Sequence, residues 1–253
     1  CIAIVFILQT DSGIVALNEA GASEVVFPEK MAFGALFIFF AAAVDFFDGF
    51  FARMLKASTD KGKQLDSLSD VVSFGVAPGM IIYQLLRLGF AQDENALNIS
   101  FAVLLPAFLF TCAVAWRLAK FNVSTNQSHS FKGVPSPAAG LVVASFPLII
   151  WYDESFGVQR YFINTWILYA IVLLLSFLMV CNRNFIAIKF KDFSLKNNLL
   201  TYLLIVLSVI ALVVLKWLAI PVIFVLYLVF SAFSKAPVTV INNSHDKTLD
   251  VTV

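Results

Sequence analysis

The chain has 253 residues, 60% hydrophobic and 13% charged, with a mean hydropathy of +0.91. A soluble domain carries about twice that charged fraction and is less apolar, so the surplus apolar side chains must face lipid. The net charge of +1 offers no basic face and implies no nucleic-acid partner. The three widely spaced cysteines, Cys1, Cys112 and Cys181, supply no disulfide framework or CxxC metal knuckle and are expected as small buried side chains.

In chain order, Cys1–Leu8 is apolar but too short to cross a bilayer, which takes roughly 20 residues. It lacks the basic start and small-residue cleavage site of a signal peptide, and reads as the end of a first transmembrane helix that begins before Cys1. Further apolar segments follow at Lys30–Phe51, Leu68–Leu88, Ile99–Leu118, Pro137–Tyr152, Ile163–Cys181, Leu199–Leu215 and Leu218–Phe233. The last two form a run too long for one span, interrupted by Lys216, Trp217 and Pro221, which predicts a tight helical hairpin. The expected fold class is all-α: a polytopic membrane helix bundle of about 8 transmembrane helices, the first truncated. Residues 1–234 form the transmembrane domain and 235–253 a polar cytoplasmic tail, with no internal repeat.

Acidic residues inside membrane segments cost several kcal/mol when exposed to lipid and are correspondingly rare. Here four lie close together: Asp45 and Asp48, three apart, and Asp66 and Asp70, four apart. Each pair shares one face of its helix. The polar stretch Arg53–Gln64 between them makes the two helices antiparallel neighbours, so the four carboxylates can meet at one end of the bundle. Carboxylates at such range need cations, and an all-oxygen set without His or Cys suits Mg²⁺ or Mn²⁺ better than Zn²⁺. Two ions on shared carboxylates form a clamp for displacement at phosphorus. Any one of these aspartates could instead cap a helix or pair with Arg53, Lys61 or Lys63. Four at these spacings on adjacent helices point to cations. Gly49 removes a side chain beside Asp48 and Gly62 lies where the loop approaches the second helix, though either serves equally as a turn or packing glycine, and Arg53, one turn from Asp48, has a fork that fits a diphosphate or anchors the cytoplasmic side.

The pattern Asp45-x2-Asp48-Gly49-x2-Ala52-Arg53-x8-Gly62-x3-Asp66-x3-Asp70 resembles the signature of the CDP-alcohol phosphatidyltransferases at all eight fixed positions and at every gap. The resemblance implies two metal ions on Asp45, Asp48, Asp66 and Asp70. It implies a CDP site formed by Asp45, Gly49, Ala52, Arg53, Gly62 and Asp66, with Asp70 as general base. Leu65–Pro78, Arg117–Asn122 and Phe131–Ala139 are similar to the serine-using branch of that family, except that Lys120 stands where an Arg is usual. That keeps the charge and loses a bidentate fork.

The implied reaction is phosphatidyl transfer from CDP-diacylglycerol to L-serine, giving phosphatidylserine and CMP. A serine carboxylate needs a cation, and Arg117 and Lys132, with the amide of Asn122, form the candidate serine site. His129 in the same stretch is expected to be a solvated loop histidine. Bilayer lipid is a further partner, and a homodimer is admitted. The alternatives are another acceptor alcohol, such as glycerol 3-phosphate or inositol, an ion-coupled transporter, or a membrane prenyltransferase. A transporter would show broken helices in two related halves, whereas these carboxylates cluster once. The Gly-x2-Ala-Arg-x8-Gly spacing argues against the prenyltransferase.

Basic residues set the orientation. With the N-terminus inside, the cytoplasmic loops and tail hold Arg53, Lys56, Lys61, Lys63, Arg117, Lys120, Lys132, Arg183, Lys189, Lys191, Lys196, Lys235 and Lys247, which is 13 of the 17. The outer side keeps Lys30, Arg87, Arg160 and Lys216. The expected location is the inner (cytoplasmic) membrane with the aspartates facing the cytoplasm. Single cysteines at Ser58 and Ser12, in a background without the three native ones, test this on intact cells. An impermeant thiol reagent should label Ser12→Cys and spare Ser58→Cys, and the reverse pattern would invert the topology.

Overall fold

The computed structural model describes residues 1–10, 15–17, 23–25, 28–55, 59–92, 100–123, 133–152, 157–183 and 199–233. These form helices α1 (Ile2–Leu8), α2 (Glu29–Met54), α3 (Asp60–Asp70), α4 (Ala77–Phe90), α5 (Phe101–Leu104), α6 (Ala107–Val123), α7 (Ser136–Tyr152), α8 (Gln159–Ile163), α9 (Thr165–Val180), α10 (Leu199–Leu215) and α11 (Ala219–Phe233). The expected all-α membrane bundle is what forms. Among the described residues the one addition is a two-stranded antiparallel ribbon between α1 and α2, β1 (Val15–Leu17) against β2 (Ser23–Val25). The tail from Lys235 lies outside the described residues.

Helices α4 and α7 form the centre. α7 touches α2, α4, α9 and α11, while α4 also packs on α1, α6 and α9. α7 is apolar on all sides, as a fully enclosed helix requires, α4 adds the polar Gln84 and Arg87, and Ile81, Ile82, Leu85, Val143, Ala144, Leu148 and Ile149 are completely buried. The outer helices behave differently. Val213 on α10 is 77% exposed, Phe177 on α9 69% and Phe40 on α2 66%. Apolar exposure of that extent is stable only against hydrocarbon. Glu29–Phe51 and Lys61–Phe90 are continuous helical runs long and apolar enough to cross a bilayer. The apolar run Tyr202–Ala232 folds back at Lys216, whose φ of +49° breaks the helix, so α10 and α11 pack on each other as the expected hairpin.

Two boundaries depart from the sequence expectation. The polar link between the acidic helices is shorter than Arg53–Gln64, because α2 runs to Met54 and α3 already starts at Asp60. Thr59 caps α3, its hydroxyl accepting from the Gly62 amide at 3.1 Å, which offsets the weak helix propensity of Lys61-Gly-Lys63. The second departure is a π-helical turn, Val71–Val76, joining α3 to α4. Pro78 accounts for it. A proline inside a helix cannot donate to the carbonyl four residues back, and its ring crowds that carbonyl, here Phe74. Widening the turn relieves the clash. The cysteines also differ from expectation: all are free thiols, but Cys1 and Cys112 are exposed on the bundle surface and Cys181 is half-buried.

Close backbone approaches fix how α7 and the π turn meet. A Cβ added at Gly140 would lie 3.0 Å from the Phe74 carbonyl oxygen and 3.1 Å from its Cα. Backbone on both sides cannot yield, so Gly140→Ala should cost on the order of 1–3 kcal/mol by overpacking, read as a lower unfolding midpoint in detergent. Gly49→Ala, whose new Cβ meets nothing within 4 Å, should unfold like the parent.

Candidate active site

The two acidic pairs project from α2 and α3 and meet. One carboxylate oxygen from each of Asp45, Asp48 and Asp66 falls in a group spanning no more than 4.8 Å, close enough for each to ligate the same cation. Asp70, one turn beyond Asp66, is hydrogen-bonded to the side chain of Asp45 and interacts with the Arg117 guanidinium of α6. The spacing of three on α2 and four on α3 thus does what helical geometry predicts, turning both carboxylates of each pair to the facing helix. The donor set is oxygen alone and partly open to solvent, which fits Mg²⁺ or Mn²⁺. Without a cation, the mutual repulsion of carboxylates at this range is relieved only by protons or by Arg117.

These aspartates stand at one end of a cleft of about 410 Å³ between α1, α2 and the α3–α4 helix. Phe37, Ile38, Phe40, Ala41, Val44, Phe74 and Ala77 line the rest of it. Phe40 and Val44 are also exposed on the lipid-facing surface. The cleft therefore joins a charged head to an apolar wall that borders the bilayer. Gly49 sits one residue past Asp48 with open space in front of it. No packing contact requires a glycine there, so the missing side chain leaves room for whatever occupies the acidic end. Gly62, by contrast, is used by the fold as the donor to the Thr59 cap. Ala52 and Arg53 fall on the last turn of α2.

Of the candidate serine-site residues, Arg117 and Asn122 both stand on α6. Arg117 reaches toward Asp70 and donates from Nη1 to the buried hydroxyl of Ser136 on α7 at 2.8 Å, leaving its buried Nε without a hydrogen-bond partner. The amide of Asn122 exchanges hydrogen bonds with the hydroxyl of Ser67, Nδ2 donating at 2.9 Å. Lys120 donates to Asn182 past the end of α9. Lys132 and His129 lie outside the described residues. Their neighbour Gly133 takes φ +78° and donates to the Arg183 carbonyl at 3.0 Å, while Val134 donates to the Leu178 carbonyl at 3.1 Å. Only glycine adopts that left-handed turn readily, and it ties this stretch to the end of α9.

Sequence reasoning did not single out Ser67 or Ser136, the partners of Asn122 and Arg117. Both lie within stretches already notable for their motifs, but a lone serine in a helix carries no sign of which distant side chain it will meet. A direct check on the acidic cluster is Mn²⁺ titration followed by the electron paramagnetic resonance signal of the free ion. Asp66→Asn should weaken binding by about tenfold or more, as loss of one charge-assisted contact requires, while unfolding at its normal temperature. Unchanged affinity would remove Asp66 from the cation site.

Comparison with known proteins agrees with this geometry. The model of the family described as CDP-alcohol phosphatidyltransferase matches residues 14–178, well over half of the chain. The CDP-diacylglycerol–serine O-phosphatidyltransferase of Bacillus subtilis (strain 168) is 40% identical over 113 residues, covering 44% of this chain and 59% of that protein. The protein of the same name from Helicobacter pylori (strain ATCC 700392 / 26695) is 34% identical over 172 residues, 65% of this chain and 63% of its own. The archaetidylserine synthase of Methanothermobacter thermautotrophicus is 41% identical over 93 residues, 37% of this chain and 36% of that one. The chain thus spans about six-tenths of the length of the first two relatives. The eight-position motif, the meeting of its aspartates between two helices and the extent of the family match together establish that this multi-pass membrane protein belongs to the CDP-alcohol phosphatidyltransferase family.

Proposed function

We propose that this protein transfers the phosphatidyl group of CDP-diacylglycerol to L-serine, releasing CMP and forming phosphatidylserine, a step of phospholipid biosynthesis. The observation that carries the reading is the convergence of Asp45, Asp48 and Asp66 at the head of an apolar cleft open to the lipid-facing surface. A substrate with a charged diphosphate and two acyl chains matches both halves of that cleft. The names of the relatives supply the acceptor: two are serine O-phosphatidyltransferases and one an archaetidylserine synthase.

In this reading each residue has a role that its placement supports. Asp45, Asp48, Asp66 and Asp70 would hold two divalent cations, Mg²⁺ or Mn²⁺. Such ions, when bound, offset the diphosphate charge and stabilise the departing CMP. Gly49 leaves space for the nucleotide, with Asp45, Ala52, Arg53, Gly62 and Asp66 around it. The serine hydroxyl oxygen attacks the phosphorus that carries diacylglycerol. The bond from that phosphorus to the oxygen bridging it to CMP breaks, and CMP leaves with the electron pair. Asp70 takes the hydroxyl proton as the new bond forms. Arg117, positioned between Asp70 and Ser136, meets the serine carboxylate through its unpartnered Nε edge. Lys132 adds charge there, and the Asn122–Ser67 pair forms the rim. The active site opens on the cytoplasmic side of the inner membrane. Lys61 and Lys63 on α3 and Lys120 at the end of α6 support this, all lying at the acidic end of the bundle.

Purified chain in detergent, supplied with CDP-diacylglycerol, Mn²⁺ and one acceptor at a time, should release CMP with serine far faster than with glycerol 3-phosphate or inositol. Preference for either of the others would keep the phosphatidyl transfer and overturn the acceptor. Arg117→Ala should raise the serine KM by about one to two powers of ten, the loss of a charge-assisted hydrogen bond of ~1.5–3 kcal/mol. The KM for the lipid should hold, and an unchanged serine KM would remove Arg117 from the serine site.

A further inference from the structure

Asp66 and Asp70 stand on α3, which runs without a break into the π turn Val71–Val76 and then α4. A π turn accommodates about one residue more than the α turn it replaces, so it rotates the helix before it by roughly 100° relative to the helix after it. The direction in which the two carboxylates point, relative to the buried face of α4, is therefore set inside that turn. Whatever holds the turn open also aims the aspartates.

Two hydrogen bonds from α6 bracket Asp70 along this helix. At the acidic end, Asn122 pairs with Ser67. At the other, the Thr111 hydroxyl donates to the Gly75 carbonyl at 2.9 Å. Thr111 and Asn122 are eleven residues apart, three helical turns, and so share one face of α6. Val114, on the same face, packs on Gly75, where an added Cβ would come within 3.0 Å of its Cγ1. A Cβ at Gly79 would collide with the Thr111 hydroxyl itself. Two glycines one α turn apart thus let α6 settle against the backbone at the point where the π pattern returns to α. Inside a bilayer there is no water to bond a carbonyl at such a junction, and Thr111 donates to that of Gly75.

We propose that Thr111 is a positioning residue for the aspartates: its hydrogen bond to the Gly75 carbonyl holds the π turn and so keeps Asp66 and Asp70 aimed at Asp45 and Asp48. The proposal rests on the phosphatidyl-transfer reading for its kinetic consequence, and on the acidic cluster alone for its effect on cation binding. Thr111 itself touches no reacting group.

The test compares Thr111→Val, which removes the hydroxyl at nearly constant volume, with Thr111→Ser, which keeps it. CMP release at saturating lipid, Mn²⁺ affinity and thermal unfolding are measured for each in detergent. In Thr111→Val, kcat should fall by about tenfold or more and Mn²⁺ affinity by about threefold or more, with the serine KM within about twofold of the parent. Thr111→Ser should retain at least about half of kcat. A Thr111→Val protein with parental kcat and Mn²⁺ affinity overturns the proposal, even if it melts earlier, since the threonine would then be structural only. Equal losses in both variants overturn it too, because the methyl rather than the hydroxyl would matter. Should Thr111→Val not be recovered folded, Thr111→Cys, a much weaker donor of similar size, takes its place with the same expected losses. If the parent releases no CMP with any acceptor, the functional reading fails, and the Mn²⁺ comparison still decides the role of Thr111.

Discussion

Carboxylates brought together at the edge of a low-dielectric bundle repel one another, and the arrangement of this protein answers that repulsion. Asp45, Asp48 and Asp66 lie within reach of a single cation, and Asp70 is set between Asp45 and Arg117. A lone helix pair would splay to separate these charges. Here α2 is held by α1 and α7, and α3 with its π turn by α6 and α7, so separation would require breaking the core. The buried apolar contacts of α4 and α7 thus sustain an electrostatically unfavourable cluster, which a divalent cation would turn into a favourable one.

The bilayer imposes the second constraint. Polar backbone groups within it must find partners inside the protein. Proline at position 78 cannot donate to the Phe74 carbonyl of a regular helix, and the structure meets this with a π turn, beside which a threonine from the neighbouring helix bonds the Gly75 carbonyl. At the other end of the same helix, Thr59 supplies the cap and Ser67 the contact to Asn122. The hydroxyls of Ser67, Thr111 and Ser136 bond neighbouring helices around the acidic cluster to one another and hold them in register, while that of Thr59 caps α3 itself. Apolar packing alone, being non-directional, would tolerate rotation of a helix about its axis. Hydrogen bonds do not.

The cleft joins two environments that a substrate with a charged head and acyl chains also joins. Its apolar wall borders residues exposed on the lipid-facing surface, and its polar end gathers the aspartates and the open position at Gly49. Under the proposed phosphatidyl transfer, such a site would let a lipid enter sideways while keeping its head among fixed charges, so that the hydrocarbon never crosses water. Positioning of this kind is the main contribution a protein can make to transfer at phosphorus, where charge and alignment dominate the barrier.

The fold class and the acidic cluster were legible in the chain itself. Composition fixed the solvent as lipid, the interruption at Lys216 marked a hairpin, and spacings of three and four put two carboxylates on one face of each helix, all consequences of local geometry. The family signature lay in the same short stretch. Other features were not legible there. The start of α3 at Asp60, the π turn and the seating of Gly140 against Phe74 depend on how crowded backbones relax when helices meet. The pairing of Asn122 with Ser67 and of Arg117 with Ser136, which brings the guanidinium into the field of Asp70, joins residues far apart in the chain. A hydropathy pattern says which face of a helix is apolar but not which helix it faces or at what rotation. Those were decided only by the packing of the bundle, because hydrogen bonds at about 3 Å distinguish between rotations that hydrophobic burial leaves nearly equal in energy.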